Sequence, residues 1–235
     1  MKLLEVKGID TYYGLSHILF KVSVQVDEGE TVCILGRNGV GKTTTLRSIM
    51  SLTPPRSGSL RFCGEEILGK KPFEIARRGV GFVPEDRIIF PDLTVRENLE
   101  MGVKGGKRDG GKWTLERVYG LFPILKARDT QEGGTLSGGE QQMLTVARTL
   151  MGNPRLLLLD EPCEGLAPQI VKTLEEQVGL LKTEGMTILL AEQNANFALK
   201  LSYRAYILEK GVVCWSGKAS ELKENPEIMK TYLGV

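Results

Sequence analysis

The chain has 235 residues, of which 41% are apolar and 26% charged, and a formal net charge of +2. That length holds one large domain or a core with a subdomain, and so balanced a charge gives no electrostatic case for a nucleic-acid partner. No apolar run reaches the roughly 18 residues that span a bilayer and no signal-peptide pattern opens the sequence, so a cytosolic protein able to dock on a membrane protein is expected.

Residues 3–9 and 18–26 alternate apolar and polar and read as half-buried strands, with Tyr12-Tyr13-Gly14 as the turn between them. Residues 30–35 are a short apolar run rich in β-branched side chains, hence a buried strand. Directly after it comes Gly36-Arg37-Asn38-Gly39-Val40-Gly41-Lys42-Thr43-Thr44, which fits the phosphate-binding pattern G-x-x-x-x-G-K-[ST]. The glycines let backbone N–H groups approach phosphate oxygens. Lys42 is a compact point charge for the β- and γ-phosphates, and the Thr43 hydroxyl suits a magnesium ion. Residues 44–50 start a helix whose N-terminus points at the phosphates.

Residues 53–58 are a loop, 59–63 a strand, 72–78 a short helix with Pro72 in its first turn, and 79–83 a buried strand stopped by Pro84. From 85 to 152 the chain reads as mostly helical, with a Gly/Lys-rich break over 104–112. Thr94 with Glu97, and Ser137 with Glu140, are capping boxes; residues 113–122 are amphipathic, and the helix after Ser137 runs to about 150. A leucine strand over 155–160 is apolar enough for burial on both faces. A helix over 168–183, a strand over 186–191 and a helix over 195–201 follow. A hairpin at 204–208 and 212–215 and short helices at 219–223 and 226–233 close the chain. The four cysteines form no C-x-x-C and His17 is the single histidine, so the thiols read as reduced. Cys33, Cys63 and Cys214 fall in expected strands, and Cys163, beside an acidic motif, is the thiol to watch for reactivity.

Two more motifs carry chemistry. The leucine strand ends in Asp160-Glu161-Pro162: Asp160 can hold magnesium through its water shell, and Glu161 can polarise an attacking water. Leu136-Ser137-Gly138-Gly139-Glu140 starts a helix with free N–H groups, a positive dipole end and a hydroxyl, a second phosphate-binding surface.

Together these three motifs resemble the ATP-binding-cassette family over the whole chain. The implied fold is α/β: a P-loop NTPase core with an N-terminal antiparallel β subdomain (residues 1–84 and 153–235) and an inserted helical subdomain (85–152). The resemblance implies ATP and Mg2+ as ligands, and a head-to-tail dimer in which Ser137, Gly138 and Gly139 of one protomer close on the γ-phosphate held by the other. It places an adenine-stacking aromatic at Tyr13, with Tyr12 as rival. Glu85 stands at the place of the Q-loop glutamine and can reach magnesium through water. Ala167 replaces a common Asp in the D-loop. Gln193 occupies the switch-histidine post, where it can hydrogen-bond the γ-phosphate but cannot carry a proton as histidine does.

The stretches 84–85, 90–98, 161–168, 191–195 and 225–235 look like the smaller ATPase of bacterial branched-chain amino-acid importers. That implies a sister ATPase or a second copy, two transmembrane permeases, an indirectly linked periplasmic solute-binding protein, and a peripheral place on the cytoplasmic face of the inner membrane. Ile88, Ile89 and Phe90 beside Arg87 would then meet a permease helix. Glu164 is also similar to the urea-importer ATPases, the alternative for the solute. A soluble cassette acting on ribosomes or DNA usually has two cassettes or a long inserted coiled coil, and a P-loop kinase would not need the helix start at Ser137.

Overall fold

The structure is a computed structural model that describes residues 1–103 and 111–234. Residues 104–110 of the expected Gly/Lys-rich break lie outside the described residues. Its centre is a six-stranded sheet made of β3 (Thr31–Leu35), β6 (Val80–Val83), β7 (Leu156–Asp160), β8 (Thr187–Glu192), β9 (Arg204–Glu209) and β10 (Val212–Lys218), in the order β10-β9-β3-β8-β7-β6. All neighbours pair in parallel except the β9–β10 hairpin. Parallel strands buried on both faces read as unbroken apolar runs, and β3 and β7 are buried at every position.

Alternate residues of this sheet feed two cores, because successive strand side chains point to opposite faces. Leu157, Leu159, Ile188 and Leu190 join Cys33 and Leu35 on one face; Leu156, Leu158 and Leu189 join Val32 and Ile34 on the other. The second face receives α1 (Lys42–Ile49) through Leu46 and Ile49, α2 (Pro72–Arg77) through Ile75, and an antiparallel sheet. That sheet contains β1 (Lys2–Tyr13), β2 (Ser16–Asp27), β4 (Ser57–Phe62) and β5 (Glu65–Glu66), in the order β2-β1-β4-β5. The first face receives the remaining helices: α3 (Val95–Glu100), α4 (Leu115–Leu121), α5 (Pro123–Ala127), α6 (Gly138–Met151), α7 (Pro168–Thr183), α8 (Ala195–Leu201) and α9 (Ala219–Lys223). A last turn at Pro226–Ile228 runs into Met229–Leu233, whose side chains pack on the same core. Among the described residues no helix is long and apolar enough to cross a membrane.

Several sequence expectations shift. Tyr12 and Tyr13 end β1 rather than forming a turn, because β1 pairs with β2 as far as Tyr13↔Ser16. Cys63 lies just past β4 with φ +54. The stretch 84–94 is a loop pinned by Asn98, which accepts from Phe90 N (2.9 Å) and donates to the carbonyls of Phe90, Leu93 and Thr94. A buried amide with four such bonds is a turn scaffold that helix periodicity does not reveal. Both capping boxes are present, at Thr94/Glu97 and Ser137/Glu140.

Candidate active site

Four parallel strands, β3, β8, β7 and β6, end at one edge of the sheet, and ligands of such sheets bind outside the strand carboxyl ends. Register sets the depth: Leu35 lies level with Glu192, Ala191 with Asp160, and Leu159 with Val83. This edge therefore gathers the loop after Leu35, the pair Asp160-Glu161, the residues Glu192 and Gln193, and Glu85. A cavity of about 290 Å³ there is lined by Asn38, Gly39, Gly41, Lys42, Thr43, Thr44, Glu85, Glu161 and Glu164.

The loop is built for close approach. Gly36 has φ +154 and Gly41 φ +111; a Cβ would stand 2.5 Å from Leu208 O at the first and 2.6 Å from a Leu19 methyl at the second. Val40 O is held by Gly211 N at 2.9 Å. Helix α1 then starts at Gly41 with no side-chain cap and no acidic residue in its first turn. The N–H groups of Lys42, Thr43 and Thr44 have no acceptor among the described residues. Arg37, Asn38 and Gly39 are exposed beside them.

Lys42 is only 4% exposed and folds back on its own loop, donating to Gly36 O (2.8 Å) and Arg37 O (3.0 Å). Its ammonium also stands 2.8 Å from Glu161 Oε1, and Glu161 is 6% exposed. The other Glu161 oxygen accepts from Gln193 N at 3.0 Å. Glu161 has φ +42, a strained value for a residue other than glycine. Thr43 Oγ1 donates to Asp160 Oδ1 at 2.9 Å. Burial, reinforced by Glu161 and Glu85, pushes the Asp160 carboxyl up to about 7, against the opposing pull of Thr43 and Lys42. Glu85 is exposed on the rim, its pKa raised by desolvation and by Glu164.

Oxygen donors of this kind fit a small hard cation. Magnesium takes one or two carboxylates plus substrate phosphates rather than an all-protein cage, and Thr43 with Asp160 supplies such a partial shell. The uncapped α1 amides and Lys42 fit phosphate oxygens. The structure thus brings together Gly36, Arg37, Asn38, Gly39, Val40, Gly41, Lys42, Thr43, Thr44, Asp160, Glu161, Glu85 and Gln193. The Gln193 side chain is exposed, and its backbone is what touches Glu161.

Ser137, Gly138 and Gly139 belong to a different surface, the start of α6. The Ser137 hydroxyl is engaged in the expected capping box: it donates to Glu140 Oε2 at 2.7 Å while Ser137 N donates to the same oxygen at 2.8 Å. The Gly138 and Gly139 amides have no acceptor among the described residues. The two tyrosines separate clearly. Tyr12 stacks on His17 with centroids 4.1 Å apart and lies 4.2 Å from the Arg56 guanidinium, whereas Tyr13 is 46% exposed and has no ring partner among the described residues.

Reactivity at Cys163 is corrected. The thiol is buried beside Glu192, Glu161 and Glu175, and burial with those carboxylates drives its pKa far above the ordinary thiol value, which disfavours thiolate. Ile89 packs on the core, while Ile88 and Phe90 are exposed and Arg148 lies over the Phe90 ring. Arg87, half-buried, donates to Glu164 O. Sequence reasoning missed Glu192, a buried carboxylate that accepts from Cys163 N (3.1 Å) and Asn194 N (3.0 Å). Its signal was a charge ending an apolar strand, since such residues are almost never fully buried without partners.

Comparison with known proteins agrees with this geometry. Residues 19–164 match the family described as ABC transporter. The chain is 45% identical over 232 residues to the high-affinity branched-chain amino acid transport ATP-binding protein BraG of Pseudomonas aeruginosa, covering 99% of this chain and 100% of that one. It is 34% identical to the probable branched-chain amino acid transport ATP-binding protein LivF of Archaeoglobus fulgidus, with 99% of each chain covered. Among solved structures it is similar to a dimeric ATP-binding cassette in a post-hydrolysis state bound to ADP and Pi, with a TM-score of 0.79, 25% identity, and 92% of this chain and 98% of that one covered.

Proposed function

The chain belongs to the ABC transporter family as an ATP-hydrolysing transport subunit, and from that premise we propose that it powers uptake of branched-chain amino acids. The observation that supports this reading most is the full-length 45% identity to an ATPase of that transport class, joined to a Lys42–Glu161–Gln193 constellation at the strand ends. The solute itself never touches this subunit in our reading. Partners are a sister ATPase or a second copy as a head-to-tail dimer, two transmembrane permeases, and indirectly a periplasmic solute-binding protein. The place of work is the cytoplasmic face of the inner membrane. Residues 85–152 act as the helical subdomain that carries Ser137, and exposed Ile88 and Phe90 meet a permease.

The proposed chemistry follows from the residues. Phosphates are held by the free amides of α1 and by Lys42, which leaves Glu161 to reach them. That exchange matters, because in the free chain the Lys42 ion pair neutralises Glu161. Once released, Glu161 takes a proton from water as the water oxygen bonds to the γ-phosphorus and the bond to the β-phosphate oxygen breaks. The Gln193 amide keeps Glu161 aimed through its 3.0 Å bond. Thr43 and Asp160, with Glu85 through water, would hold magnesium, which offsets charge on the phosphate oxygens. Tyr13 offers a free ring face to adenine, and Ser137, Gly138 and Gly139 of the second protomer close on the γ-phosphate. Loss of that phosphate loosens the closure.

The test is uptake of labelled leucine and labelled urea by cells lacking this chain. Loss of leucine uptake alone is expected. Loss of urea uptake alone would transfer the assignment to a urea importer, and loss of neither would remove both solutes.

A further inference from the structure

The ends of β7 and β8 and the loops after them are held by four hydrogen bonds, three of which cross from one segment to the other. Glu161 N donates to Ala191 O at 2.9 Å, and Gln193 N donates to Glu161 Oε2 at 3.0 Å. The other two end on Glu192: Cys163 N donates to Oε1 at 3.1 Å and Asn194 N to Oε2 at 3.0 Å. Glu192 is 2% exposed and has no cationic partner among the described residues. A carboxylate buried without a cation is costly, and an apolar side chain would finish this strand without that cost. What the carboxylate supplies is two acceptor oxygens, one for each loop.

We propose that Glu192 is a positioning residue for ATP hydrolysis, its buried carboxylate clasping the Cys163 and Asn194 amides so that the intervening Gln193 amide aims Glu161. The geometry makes the link short. Gln193 and Asn194 are consecutive, and their N–H groups divide between Glu161 and Glu192. Cys163 lies two residues past Glu161, so Glu192 also restrains the other end of the strained segment at φ +42. When phosphate draws Lys42 away from Glu161, the Gln193 amide is the hydrogen bond left on the carboxylate, and its place depends on Glu192. A displacement of the order of 1 Å in such a group costs about 100-fold in rate.

This inference rests on Glu161 being the general base, and the experiment separates the two. Steady-state ATP hydrolysis and nucleotide affinity are measured on the full-length chain carrying Glu192→Gln, Glu161→Gln, or both. Glutamine has nearly the same shape but offers one acceptor oxygen, so one of the two amides loses its partner whichever way it turns. The expected result is a kcat lowered about 10- to 100-fold by Glu192→Gln with KM and nucleotide affinity within about twofold of wild type. In the Glu161→Gln background the same change should add almost nothing, because Glu192 acts through Glu161. Should Glu192→Gln fail to fold, Glu192→Asp, which keeps the charge but falls short of both amides, carries the same test. If Glu161→Gln stops turnover while Glu192→Gln leaves kcat unchanged, this inference alone is wrong. A parallel fall of kcat and nucleotide affinity overturns it too, as general loosening. Wild-type turnover by Glu161→Gln removes the base assignment itself.

Discussion

Two helix starts face phosphate in this reading, and they are built in opposite ways. Helix α1 begins at Gly41 without a cap, carries Lys42 in its first turn, and leaves its first amides without acceptors among the described residues. A cation at a helix N-terminus opposes the dipole, so this end is electrostatically incomplete without an anion. Helix α6 finishes itself: Ser137 and Glu140 form a reciprocal box, and Arg128 pairs with Glu140 at 2.6 Å. The contrast teaches that one end depends on its ligand while the other is stable before any partner arrives. In the free chain the missing anion at α1 is supplied internally by Glu161.

The sharpest way to test that difference is to change the charges at the α1 end. Glu161→Gln should lower kcat about 10²- to 10⁴-fold, the range of a lost general base, while ATP binding persists or tightens, since Lys42 keeps its carbonyl partners but loses its internal anion. Weakened binding in that variant would contradict the internal-anion picture. Lys42→Ala should lose stability by about 3–5 kcal/mol, because a buried charge is left alone, and should bind ATP at least tenfold more weakly. The double variant Lys42→Ala/Glu161→Gln should recover much of the stability but none of the affinity; denaturant melts and nucleotide titration decide.

A smaller effect lies at Asp160. Its folded pKa of about 7 is above its ordinary value of 3.8, so between those values the folded chain binds more protons than the unfolded one. This carboxyl therefore makes the metal-free protein less stable as pH rises through that window. Asp160→Asn should melt higher than wild type at pH 8, and the gap should close toward pH 4. A gap independent of pH would show that Asp160 does not titrate there. The smallest effect belongs to the α6 end. Ser137→Ala removes a cap and should cost about 1 kcal/mol of stability while leaving nucleotide affinity of the single chain unchanged. An affinity loss there would erase the distinction between the two helix starts.

Much of this was readable from residue order alone. The glycines and Lys42 after a buried strand, the acidic pair after four leucines, and both capping boxes are local patterns whose physics acts within a few residues. Strand and helix placement followed from the same short-range periodicity, which is why the helices Pro168–Thr183 and Ala195–Leu201 begin and end where the sequence expects them. Distance along the chain decided the rest. That Lys42 meets Glu161, that Thr43 meets Asp160, and that Glu192 holds Cys163 depend on strand order β3-β8-β7, which brings residues up to 119 positions apart within hydrogen-bonding or ion-pair distance. That the Tyr12 ring is packed needed His17 and Arg56, and the burial that disfavours the Cys163 thiolate needed neighbours from β8 and α7. Sequence determined which groups could do chemistry, because residue type and local spacing carry that information. Tertiary structure alone decided which of them meet and which are buried, because pairing and desolvation arise only when distant strands are laid side by side.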